Sequence, residues 1–211
     1  DWSSDVCSSD LLPAVIGGTK LRTLSFACLS FNGLQSVLTA YYVLYLTTLG
    51  YSPIAAGVAF SVATAVAVPG RIVWGWVGST LVSPRMMMAT LGLSMSLCAF
   101  VFSLCNESWA PIAIGAVGCL LSATALSWHG IVLAEIANAA PDGMRGGVTG
   151  GVLSFGQLGG LILPLVFAGI LDTTGSYALG FLASGILPML VAAQLLRQIR
   201  ADKPSAAPAS S

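Results

Sequence analysis

One arginine, Arg71, stands inside an otherwise apolar run, about seven residues or roughly 10 Å from its nearer polar end. A guanidinium that deep in hydrocarbon costs on the order of 2.5 kcal/mol or more, which favours an interior position with a partner over snorkelling. Thr64, Gly75 and Gly78 share its helical face and are small or polar. Two readings stand: a cation that binds an anion or pairs helices, and a structural ion pair near one membrane face. Asn32 and Gln35 are three apart, and Cys28, Thr39 and Tyr42 extend their stripe. Amides so placed hydrogen-bond either a solute or neighbouring helices. His129, the one histidine, follows Trp128 and precedes Glu135 by six positions. Imidazole and carboxylate are proton-relay groups, but i and i+6 lie on different helical faces, so no direct pair is expected. Glu135 reads as hydrated or paired with Arg145. Gln157, an amide among glycines, completes the candidates.

The elements that carry these groups are six long apolar segments, at 23–49, 54–78, 86–105, 110–134, 147–171 and 177–196. Each is near the roughly 20 residues needed to cross a bilayer as a helix. Lys20 and Arg22 precede the first, Arg85 lies between the second and third, Arg145 between the fourth and fifth, and Arg197, Arg200 and Lys203 follow the sixth. The alternate connections, around Tyr51, Glu107 and Asp172, carry no Lys or Arg. The positive-inside bias therefore places both termini in the cytoplasm of a multi-pass cell-membrane protein, of bacterial inner-membrane type.

Composition agrees. With 56% hydrophobic and 8% charged residues, and a mean hydropathy of +0.89, the chain lies far from soluble domains, where about 25% charged is usual. The lipid bilayer is the expected partner and nucleic acid is not. Cys28, Cys98, Cys105 and Cys119 lack metal-like spacing and read as small core residues. A single histidine, with no HExxH, P-loop, nucleophile elbow or dinucleotide fingerprint, leaves no expected metal site, cofactor or enzyme chemistry. Ser154 in GGVLSFG is in the wrong frame for a GxSG turn.

Both ends differ from the middle. Residues 1–11, DWSSDVCSSDL, are polar and aperiodic. They also resemble the translated read-in of a short-read sequencing adapter, which implies that the natural sequence starts at Leu11 or Leu12 and continues a longer protein. Setting aside Asp1, Asp5 and Asp10 leaves 8 basic against 5 acidic residues, 8 − 5 = +3. The expected organisation is an adapter-like 1–11, a six-helix bundle over 12–200 and a disordered cytoplasmic tail at 201–211.

The six segments form two triplets. Polar and aromatic residues mark the first and fourth, glycines and prolines the second and fifth, and plain aliphatic residues the third and sixth. That order suggests cavity lining, close packing and lipid contact, and three-plus-three repeats are typical of secondary transporters. Gly57, Ser61 and Ala65 recur every four residues, as do Gly147 with Gly151 and Gly156 with Gly160, making smooth strips for another backbone. Pro69 and Pro164 are expected to bend their helices.

Two stretches carry a family resemblance: PGRIVWGWVGSTLVSPRMMM (69–88) and GGVTGGVLSFGQLGGLILPLVFAGILDTTGSYALGFL (146–182). They resemble the C-terminal half of a major facilitator superfamily transporter, and the resemblance covers nearly everything after residue 12. Gly75 and Arg85 match the ends of that family's degenerate second G-x-x-x-D-R loop, while Ser79 and Thr80 replace its Asp and Arg. The resemblance implies an all-α membrane fold, half of a twelve-helix bundle. A missing N-terminal six-helix half would enclose the solute near the midplane, with the first and fourth segments lining the cavity and the second and fifth meeting the partner half. The expected activity is secondary transport, proton-coupled or facilitated, of a small organic or inorganic anion, nearest to the nitrate and cyanate groups. The alternatives are an efflux carrier for apolar compounds, using Trp128 and the tyrosines, and a complete six-helix scaffold or intramembrane enzyme.

Overall fold

A computed structural model describes residues 18–141 and 143–202. Among them run seven helices and no strand: α1 Thr19–Thr48, α2 Pro53–Thr80, α3 Pro84–Ser103, α4 Pro111–Ala125, α5 His129–Ala139, α6 Arg145–Thr174 and α7 Tyr177–Ala201. The boundaries follow local chemistry. Proline opens α2, α3 and α4, where its missing N–H is not needed. Ser52 and Ser83 precede two of these and accept from the amides of Ala55 and Met86. Gly175 ends α6 in the left-handed region, at φ +66°.

Five helical stretches are long and apolar enough to cross a membrane: Pro53–Gly78, Pro84–Ser103, Pro111–Ala139, Arg145–Thr174 and Tyr177–Ala201. The chain is a multi-pass helical membrane protein. The first expected span, α1, has 30 residues but is too polar to qualify by composition. Its surroundings explain why that is tolerable. Fifteen of its residues are buried, and it touches α2, α4, α5, α6 and α7, so protein rather than lipid receives its amides and hydroxyls.

Three sequence expectations need correction. The segment 110–134 is two helices, α4 and α5, separated at Leu126–Trp128. The last helix runs through Ala201, five residues beyond 196. The plain third and sixth segments, assigned to lipid, instead pack on each other as α3 and α7 and show lipid only their outer faces. Residues 1–17, with the adapter-like 1–11, and 203–211 lie outside the described residues.

Glycines set the closest approaches. A Cβ at Gly159 would sit 1.9 Å from the Leu29 carbonyl oxygen, so α6 lies against α1 backbone to backbone. The Gly156–Gly160 strip is thus used inside this bundle. The Gly57–Ser61–Ala65 strip of α2 is largely uncovered, with open space at Gly57. Pro69 and Pro164 lie within continuous helices, as does Pro188, whose carbonyl abuts Gly92. Aromatic side chains fill the end away from the start of α1: Tyr42 stacks on Phe102, and Tyr45 packs on Phe102 and Phe181.

Candidate functional site

The break in the fourth span organises the site. Its cause is local: Thr124 donates its hydroxyl to the carbonyls of Leu120 and Leu121, and Ser127 to that of Ala123, in competition with the helical ladder. Gly130 then weakens the first turn of α5. The Leu126 carbonyl is left at the negative end of α4, and Arg71 answers it, Nε to O at 2.8 Å. Gly70 makes this reach possible, because α2 approaches Ala123 there so closely that a Cβ would lie 3.3 Å from its carbonyl. The partner of Arg71 is therefore a backbone carbonyl. The side chain is nevertheless exposed rather than enclosed, contrary to the interior position its depth suggested.

A hollow of about 490 Å³ opens beside this contact, lined by Gln35, Arg71, Gly75, Leu126, Ser127, His129, Gly130 and Ile131. Trp128 is buried behind it, stacked on His129 with centroids 3.9 Å apart. Its indole donates to Gln35 Oε1 at 2.9 Å. An indole N–H can only donate, so the Gln35 amide is oriented with its oxygen toward Trp128 and its NH2 left for the hollow. Arg71 lines the same hollow. The first three residues of α5, His129 to Ile131, add the positive end of a helix. Among the described residues no carboxylate lines the hollow. The Arg71 guanidinium, the Gln35 NH2 and the helix end are thus donors, the imidazole can act either way, and the Ser127 hydroxyl, whose proton goes to the Ala123 carbonyl, can only accept.

Two further hollows continue toward the end that holds the start of α1 and the last turn of α7. One, of about 460 Å³, shares Gly75, Gly130 and Ile131 with the first and adds Gly78, Val82, Pro84 and Ala134. The next, of about 470 Å³, shares Pro84 and includes Lys20, Arg85, Glu135 and Asp202. Glu135 faces this terminal hollow. It is buried, and the partner the structure gives it is Arg85, Nε to Oε1 at 2.6 Å, where the sequence suggested Arg145. Arg85 also reaches Asp202 at 3.0 Å, tying α3, α5 and the end of α7 together. His129 lines the first hollow and Glu135 the last.

The remaining candidates stand apart. Asn32 donates to the Gly156 carbonyl at 2.8 Å and ties α1 to α6. Tyr42 is buried against Phe60, Phe102 and Gly118, with no partner for its hydroxyl. Gln157 is exposed on α6. Sequence reading missed Gly70, Ser127 and Gly130 at the site. The three-residue spacing of Thr124, Ser127 and Gly130 was the available signal, hidden because none is a helix breaker alone. Among the described residues no cluster of His, Cys, Asp or Glu could hold a metal ion.

These features define a helical membrane protein with a donor-lined hollow at a broken helix. No known family profile matches the chain, and neither does any curated protein.

Proposed function

We propose that this chain is the C-terminal half of a secondary transporter of the major facilitator type, and that it moves a small anionic solute by alternating access. The observation that carries this reading is the lining of the hollow at the helix break: Arg71, the oriented Gln35 amide and the positive end of α5 converge, with no carboxylate among the described lining residues to neutralise them. Anions are what such a set stabilises. A discontinuous helix placed where solute binds is also the usual transporter solution for exposing backbone inside a membrane. His129, at the same hollow, is the proposed proton site for coupling.

A second bundle covers the open face in this reading. Only 17% of the apolar window of α2 and 22% of that of α6 are buried, against 56% for α3. Exposed apolar surface alone would suit lipid. Arg71, His129 and Gln157 are exposed too, and polar groups facing hydrocarbon are costly, which favours protein or water there. With termini cytoplasmic, the linked hollows lead from the break to the cytoplasm while the aromatic cluster closes the outer end, as in an inward-open half.

Solute flux into vesicles tests the proposal. The chain alone should insert without transporting, and the parent protein with both halves should take up a small anion. Arg71→Ala should reduce that uptake more than Arg71→Lys, which keeps the charge but loses the planar fork. Robust flux through the chain alone would refute the half-transporter reading, and unchanged flux in Arg71→Ala would refute the anion site.

A further inference from the structure

Resting on that reading, we infer that the solute is an amphipathic organic anion, a carboxylate carrying a short apolar chain, rather than a compact inorganic oxyanion. The donor-lined hollow does not end at Arg71. It continues through Gly75, Gly130 and Ile131 into the 460 Å³ hollow, whose added lining among the described residues, Gly78, Val82, Pro84 and Ala134, offers no polar side chain. The two compartments are one trough with a cationic head and an apolar extension.

Three glycines make the extension. A Cβ at Gly75 or Gly130 would meet nothing within 4 Å, so these positions leave room instead of serving helix contact. Gly78 is different, since a Cβ there would approach Met87 Cγ at 3.3 Å. Ala134, one turn beyond Gly130 on α5, is exposed to the trough. From the level of Gly130 to that of Ala134 is ~6 Å along α5, enough for several carbons. A compact oxyanion would occupy the head and leave this apolar wall wet. A chain of methylenes would dry it, and each one buried tightens binding about fourfold.

The experiment uses the full chain in lipid nanodiscs, with empty discs subtracted, and titrates acetate, butanoate, hexanoate, hexanamide and nitrate by calorimetry. The expected result is that hexanoate, four methylenes longer, binds up to about 250-fold more tightly than acetate, with nitrate no better than acetate and hexanamide weak. Ala134→Phe, which fills the extension, should bring hexanoate down to the acetate level and leave acetate unchanged. Val82→Phe, on the facing wall, should do the same and guards against a folding defect in either variant. Arg71→Gln should abolish binding of both acids. Equal affinity of acetate and hexanoate, both lost in Arg71→Gln, would overturn the apolar extension while leaving the anion reading intact. Hexanoate binding that survives Arg71→Gln and is matched by hexanamide would overturn the anion reading itself.

Discussion

Gly159 offers the sharpest test of the packing that holds the site. A Cβ built there would lie 1.9 Å from the oxygen and 2.6 Å from the carbon of the Leu29 carbonyl, where ordinary contact begins at 3.4 Å. In Gly159→Ala the helices α1 and α6 must therefore separate by 3.4 − 1.9 = 1.5 Å at that level. Backbone cannot rotate away as a side chain can. The same shift would break the Asn32 to Gly156 hydrogen bond, now 2.8 Å, and strain that from Tyr41 to Pro164, now 3.0 Å. Overpacking costs about 1–3 kcal/mol, and each interhelical bond in a membrane is worth about 0.6 kcal/mol, so the expected loss is roughly 3 kcal/mol. Gly156, three residues earlier on the same run, is the control. Its Cβ would meet Cys28 at 3.6 Å, an ordinary contact, so Gly156→Ala should stay within about 0.5 kcal/mol of the natural protein. Equilibrium unfolding of the purified protein in mixed micelles, titrated with SDS, gives both values. Equal stability of Gly159→Ala and the natural protein would refute the backbone-to-backbone approach, and so would an equal loss in Gly156→Ala.

Breaking the Arg85 pairs should give unequal losses in the same assay: Glu135→Gln, buried, about 2–3 kcal/mol, and Asp202→Asn, 64% exposed, less than about 1 kcal/mol. Equal losses would contradict the burial difference. Single cysteines at Glu107 and Asp172 should react with an impermeant thiol reagent from outside the cell, and those at Ser83 and Ala201 only after the cytoplasmic face is opened. External labelling at Ser83 would reverse the topology. Deleting residues 1–11 should leave insertion and the unfolding midpoint unchanged, because the segment is polar and aperiodic; failure to accumulate folded protein would show that it belongs to the fold.

Several helix boundaries and the membrane character are local properties that the sequence carries. Ser-Pro at 52–53 and 83–84 and Gly175 act within a single turn, and hydropathy sums over about 20 neighbouring residues, so no distant contact is needed to read either. Arg71, Gln35, Trp128 and His129 could be singled out for the same reason, since each is an unusual group in an apolar run. Their grouping could not. Whether Gln35 faces Trp128 while Asn32 faces Gly156 depends on which helices surround α1 on each side. Tyr42, on the same stripe, meets Phe102 instead, because a central helix is contacted all round and a shared face no longer means a shared environment. The break at Leu126 needed both a local weakness, from Thr124, Ser127 and Gly130, and a distant cation able to satisfy the released carbonyl. The sequence by itself determined a chain of membrane-spanning helices with a few displaced polar groups. Only the tertiary structure decided that α2 approaches α4 at Gly70, because that separation is set by the one side chain absent there and by the facing helix at once, and the site exists where the two meet.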